Sequence, residues 1–242
     1  ANAEKDRAWI LQHLPASVHL EDATGQTAMI AVQGPRAVEL VSQLVGRDLT
    51  ALPRFHATTC LWQGQSLFVA RTGYTGEDGV ELIMEAAVAE PLWNALHAAE
   101  ATPCGLGARD VLRIEAGYPL YGHELSEEVN PIEAGLGWVV SKTKEFLGAE
   151  AIRQVREQGP TRKLVGLEVE GRMVARQGYS VQVNGQPVGE ITSGTFSPTL
   201  ERSIALAYVR SVYAKTGEQV QVDMRGRLVP ARVASKRFVT HV

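Results

Sequence analysis

Arg71-Thr-Gly-Tyr-Thr-Gly-Glu-Asp-Gly-Val-Glu81 is the stretch from which the chain is best read. Gly73, Gly76 and Gly79 recur every third residue, a pattern that a helix does not hold because each glycine costs helix stability relative to alanine. Asp78-Gly79 is a tight-turn dipeptide. Ser66–Ala70 before it and Val80–Met84 after it read as strands, so the stretch is a hairpin-like loop with Glu81 just inside the outgoing strand. By the two-residue period Val80, Leu82 and Met84 share one face, while Glu81 and Ile83 share the other. A carboxylate beside an apolar neighbour must find donors if it is buried. In an isolated glycine-rich turn, a solvated glutamate is the commoner outcome. The spacing fits neither of the glycine-rich phosphate loops, and no lysine follows.

Outward from this hairpin, composition narrows the class. The chain has 242 residues, 45% hydrophobic and 21% charged, enough for one large or two ordinary domains with a real core. A net charge of -3 gives no nucleic-acid footprint. Cys60 and Cys104 are the only cysteines, which is neither a disulfide framework nor a zinc quartet, and suits a reducing compartment. No apolar run approaches the length of a membrane span. His123-Glu124 with Glu127 and Glu128 lacks the H-E-x-x-H spacing, so no metal is expected. The chain opens Ala-Asn-Ala-Glu-Lys-Asp without a methionine and enters a helical pattern almost at once. The expectation is a stretch from the middle of a larger protein.

In chain order, Glu4–Leu14 reads as an amphipathic helix stopped by Pro15. Ser17–Leu20 and Ala28–Val32 read as strands around a polar turn, and Gly34-Pro35 opens a helix over Arg36–Val45. Strands over Ala57–Trp62 and Ser66–Ala70 precede the hairpin, and a helix over Val88–Glu100 follows it. Strands arriving in hairpin-sized steps define an α+β domain with an antiparallel sheet over residues 1–140. Asn130–Trp138 reads as a loop leading into a strand, with Trp138 as core packing on general grounds. Residues 141–160 form a helical linker, with a helix over Phe146–Glu157 ended by Gly159-Pro160. Short strands at Leu164–Val169, Ser180–Val183, Val188–Ile191, Ile204–Val209, Gln219–Val222 and Leu228–Ala234 make residues 161–242 a small all-β barrel or sandwich.

Cys104-Gly-Leu-Gly-Ala-Arg-Asp-Val-Leu-Arg-Ile-Glu-Ala-Gly117 is the second informative stretch. It reads as a loop and then a short helix over Ala108–Ala116, closed by Gly117. Arg109 and Arg113 share a face, and Asp110 can pair with Arg113 three residues on. The ordinary reading is a salt-bridged surface; the functional one makes Arg109 an anion-handling residue, since its planar fork takes carboxylates bidentately.

Taken in order, Gly73–Glu81, Gly105–Asp110, Leu112–Gly117, Ile191–Leu200 and Ser203–Leu206 closely resemble the T-protein of the glycine cleavage system, the folate-dependent aminomethyltransferase family, in a bacterial form. The resemblance covers nearly the whole chain. It implies a cytoplasmic enzyme that receives an aminomethyl group on the lipoyl arm of the H-protein carrier. Ammonia is released and the one-carbon unit passes to tetrahydrofolate. It implies that Glu81 reads the pterin, whose adjacent N–H donors suit a carboxylate. It also implies that Arg109 fixes the substrate and its charge, and that Tyr74 and Trp138 stack on flat rings. The match further suggests that Ala1–Asp6 corresponds to a point well inside the family's chain. On that expectation the family's N-terminal part is lacking, with it the catalytic aspartate, and the isolated chain does not turn over. The family's C-terminal tyrosine has no counterpart in the tail Phe238-Val-Thr-His-Val242, where His241 is left without an assigned role. Two other classes fit the same residues: the folate domain of a dimethylglycine- or sarcosine-type oxidative demethylase, and a folate-binding homologue without turnover.

Overall fold

A computed structural model describes residues 2–240. The chain divides into two compact units: the residues up to Thr72 with Asp78–Thr102, and Gly73–Glu77 with Pro103 onward.

The first unit carries helix α1 (Ala3–His13), strand β1 (Thr27–Gln33), helix α2 (Ala37–Val45), strands β2 (Ala57–Trp62), β3 (Gln65–Ala70) and β4 (Gly79–Glu85), and helix α3 (Ala86–Ala98). The strands form an antiparallel sheet in the order β1-β4-β3-β2. Alternation decides what each face does. Ile30, Val32, Leu67, Val69, Val80, Leu82 and Met84 turn inward and pack with Val41 of α2 and Leu92 and Leu96 of α3. Met29, Leu61, Phe68 and Ile83 alternate to the opposite face and stay exposed. The β2–β3 turn is Gln63-Gly64, both at positive φ (51° and 81°), as a two-residue hairpin of matching twist requires.

Two expectations fail in this unit. Ser17–Leu20 forms no strand; β1 pairs only with β4, so among the described residues no ladder is offered to it. Helix α1 forms as read, yet it buries no residue, and Trp9, Ile10 and Leu11 are exposed.

The second unit contains helix α4 (Leu106–Glu115), helix α5 (Ala149–Gln158) and strands β5 (Arg162–Val169), β6 (Ser180–Val183), β7 (Gln186–Ser197), β8 (Arg202–Arg210), β9 (Gln219–Met224) and β10 (Arg227–Ala234). The strands close into an antiparallel barrel in the order β10-β5-β8-β7-β6-β9, so the α+β sheet and small barrel expected from the sequence are both present. Leu167, Val181, Ile191, Ala205, Ala207, Val209 and Val222 fill the barrel. Closure leaves no open sheet edge. β7 runs on from Ile191 to Ser197 through a register shift at Ile191/Ser193, longer than the Val188–Ile191 strand read from the sequence. A bulge breaks the alternation on which that reading rests.

α4 packs on β7 and β8 and ends as expected at Gly117. Gly117 has φ +74, and a Cβ there would lie 2.4 Å from the Lys236 carbonyl oxygen, so glycine is required twice over. The C-terminal stretch is held against the same helix end: the Phe238 and Val239 N–H groups donate to the Glu115 carbonyl at 2.9 and 3.0 Å. The loop before Trp138 does not lead into a strand; residues 131–135 and 137–139 are turns, and Trp138 is 78% exposed rather than core. Glycines at 135 and 137 favour turning over extension. His241 lies outside the described residues.

Candidate functional site

The β3–β4 connection is fixed by charge before it presents any function. Arg71 donates to Asp78 through Nε (3.1 Å to Oδ1) and Nη2 (2.6 Å to Oδ2), the bidentate arrangement that suits a guanidinium. Its Nη1 also caps the Thr50 and Leu52 carbonyls at 2.8 and 2.5 Å. The Arg71 hydrogen bonds hold the Asp78 carboxyl below the usual carboxylate range, against burial that acts the other way. Gly79, the last glycine of the motif, is buried where β1 passes: a Cβ there would lie 2.4 Å from the Val32 carbonyl oxygen and 2.7 Å from Gln33 Oε1.

Glu81 sits in β4 between Ala31 of β1 and Ala70 of β3 on the sheet's open face, as the alternation predicts. It is half-buried. Among the described residues its hydrogen-bond partner is the Thr72 hydroxyl, which donates to Oε2, and no cation pairs with it. Oε1 is therefore an acceptor with unused capacity, on a residue whose cross-strand neighbours, Ala31 and Ala70, carry no polar side-chain atom.

In the second unit Tyr74 and Arg109 come together. The Arg109 guanidinium lies 4.9 Å from the centroid of the Tyr74 ring, a cation–π distance, while Tyr118 stacks on Tyr74 at 5.6 Å. The Tyr74 hydroxyl donates to the Pro119 carbonyl at 2.5 Å. Burial holds its phenol above the ordinary tyrosine range. Arg109 is exposed at the first turn of α4, which leaves its N–H fork open to solvent. Trp138 stands on an exposed turn of the same unit.

What the sequence reading missed is the buried cluster beneath α4. Arg113, at 1% exposure, donates to Asp110 (2.8 Å), to Glu124 Oε2 (2.9 Å), to the Ser193 hydroxyl (2.8 Å) and to the Tyr118 carbonyl (3.3 Å). Glu124 Oε2 also accepts the Leu120 N–H at 2.9 Å. Residues 118–120 are therefore tied to Arg113, Tyr74 and Glu124 in turn. The Asp110–Arg113 spacing was visible in the sequence. The partners 11 and 80 residues away were not, since no local period links them. Among the described residues no group of three or more histidine, cysteine, aspartate or glutamate side chains could hold a metal ion. Among the described residues no helix is long and apolar enough to cross a membrane.

Comparison with known proteins places this geometry in a family. Residues 1–144 match the GCVT N-terminal domain, and residues 162–239 match the glycine cleavage T-protein C-terminal barrel domain. An aminomethyltransferase of Synechococcus elongatus is 49% identical over 240 residues, covering 98% of this chain and 64% of that protein. One of Prochlorococcus marinus is 45% identical over 247 residues, covering 98% and 66%. The crystal structure of the glycine cleavage system aminomethyltransferase T from Bartonella henselae superposes with a TM-score of 0.89 at 31% identity, covering 99% of this chain and 66% of that one. The chain belongs to the glycine cleavage T-protein family. It spans 64% of the length of the Synechococcus elongatus relative. One expectation is corrected: the chain does not lack the family's N-terminal domain, because residues 1–144 match it. The absence of turnover expected on that ground loses its basis with it.

Proposed function

We propose that this chain is a folate-dependent aminomethyltransferase of the glycine cleavage system, working in a bacterial cytoplasm. It moves a one-carbon unit from an aminomethyl-lipoyl group on the H-protein carrier to tetrahydrofolate and releases ammonia. The observation that carries the reading is Glu81: a half-buried carboxylate with no cation partner among the described residues, on the motif-bearing strand of a chain in this family. Relatives at 49% and 45% identity that bear the name aminomethyltransferase favour this over the folate domain of an oxidative demethylase. Two cysteines in the whole sequence, Cys60 and Cys104, make no disulfide framework and suit a reducing compartment.

The residues fit such a substrate chemically. Glu81 keeps acceptor capacity for the adjacent N–H donors of a pterin edge, and a desolvated carboxylate gains more from them than one in water. Arg109 supplies a charged fork for a carboxylate. Its guanidinium lies over the Tyr74 ring, a cation–π contact that steadies that fork. Tyr74 and Trp138 offer ring faces for stacking. Tetrahydrofolate supplies the nucleophilic amine; the protein's part is to bind it, orient it and exclude water. The carrier's lipoyl arm supplies the reacting carbon.

The test is ammonia release from aminomethyl-lipoyl carrier protein by this chain, with and without tetrahydrofolate. Release that depends on tetrahydrofolate, and falls at least tenfold in Glu81→Gln at sub-saturating folate, is expected from the loss of about 1.4 kcal/mol or more. Release in Glu81→Gln equal to that of the parent contradicts the reading.

A further inference from the structure

We infer that Thr72, braced by Gln33, is the positioning residue for Glu81, and that its hydroxyl orients the carboxylate which reads the pterin edge. The inference rests on the folate reading of Glu81 and extends it to two residues that touch no ligand themselves.

A glutamate on an open strand face has three rotatable bonds, and ordering it on binding costs affinity. Its strand neighbours cannot hold it. Ala31 and Ala70, directly across on either side, carry no polar atom. Thr72, two residues beyond Ala70, reaches it instead: the hydroxyl donates to Oε2 and leaves Oε1 uncommitted. Oε2 has a second lone pair, so the carboxylate still presents a two-oxygen edge.

Thr72 is itself held. The Gln33 side-chain amide donates its two protons to the Thr72 carbonyl (3.0 Å) and the Val80 carbonyl (3.2 Å). Those carbonyls stand at the two ends of the 73–79 loop, one on the residue that holds Glu81 and one on the residue before it. A single amide therefore sets the separation of the hydroxyl and the carboxylate it serves. The amide's orientation is forced, because the flipped form would aim Oε1 at two carbonyl oxygens. The cost is visible: Gln33 Oε1 is buried and has no hydrogen-bond partner. Gly79 belongs to the same device, since a Cβ there would strike the Gln33 amide.

The test is calorimetric titration of tetrahydrofolate into the full chain, with Thr72→Val, Thr72→Ser, Glu81→Gln and the Thr72→Val/Glu81→Gln pair. Valine keeps the shape of threonine and drops the hydroxyl; serine keeps the hydroxyl. A loss of about tenfold in Thr72→Val is expected, given what a hydrogen bond to a charged group contributes. Recovery to within about twofold is expected in Thr72→Ser, and no further loss from valine once Glu81 is Gln. Equal losses from valine in both backgrounds would mean a role unconnected with Glu81 and would overturn the inference. So would an unchanged Kd in Thr72→Val where Glu81→Gln binds weakly, and in that case the folate reading would stand. An unchanged Kd in Glu81→Gln would overturn the folate reading and this inference with it.

Discussion

What surrounds Glu81 leaves its carboxylate available: alanines on both neighbouring strands, one hydroxyl, and no cation among the described residues. Glu81→Gln keeps the shape and removes the charge. Tetrahydrofolate binding should weaken by about 1–3 kcal/mol, the range for a hydrogen bond to an ionised group. Equilibrium titration checks it. Asp78, three residues earlier, is structural, and its effect should depend on pH in a defined direction. The Arg71 hydrogen bonds lower its folded pKa, so its contribution is fully present above the unfolded value near 4. It is lost as pH falls through the depressed folded value. Asp78→Asn should therefore cost about 2 kcal/mol at neutral pH. In urea titrations that gap should close below about pH 4. A gap that stays constant down to pH 2 would contradict the assignment.

At the scale of the element, the difference between what could and could not be read is physical. β4 was legible because strict alternation names its buried and open faces, and the hairpin glycines mark where it begins. Ser17–Leu20 carries similar residues but has no partner strand, and a sequence window contains no information about partners. The same holds for α4. Its cap at Gly117 and the Asp110–Arg113 pair follow from spacing, while the helix begins at Leu106, two residues before the Ala108 read from the sequence, and the burial of Arg113 depends on Glu124 and on Ser193 of the barrel. That burial yields a prediction. Arg113→Met leaves Glu124, 0% exposed, without its counter-charge, and should destabilise the fold by about 3–5 kcal/mol. Replacing both, as Arg113→Met/Glu124→Leu, should recover most of that loss in urea denaturation. A double variant as unstable as the single one would show that the hydrogen bonds to Ser193 and Tyr118, rather than the buried charges, hold α4 in place.

For the whole molecule, the division of labour is between a sheet that exposes one face and a barrel that closes on itself. The small barrel was legible from short strands at close spacing with turn dipeptides such as Asn184-Gly185. The candidate site was legible in part. Glu81, Tyr74 and Arg109 lie in glycine-marked stretches that a linear reading singles out. Thr72, Gln33 and Arg113 act through contacts that only the folded chain creates. Arg109 carries a prediction at this scale. Arg109→Lys keeps the charge but loses the planar fork over Tyr74, and should weaken tetrahydrofolate binding by at least half as much, in free energy, as Arg109→Ala. A lysine variant that binds like the parent would reduce the role of Arg109 to charge alone.

The central claim is that this chain takes tetrahydrofolate through Glu81 and Arg109. Calorimetric titration of tetrahydrofolate into the folded chain, with Glu81→Gln and Arg109→Ala alongside, tests it most directly. The account predicts saturable binding to the parent, weakened about tenfold or more in each variant. Binding that is unchanged in both variants, or absent from a parent chain that is demonstrably folded, would contradict it.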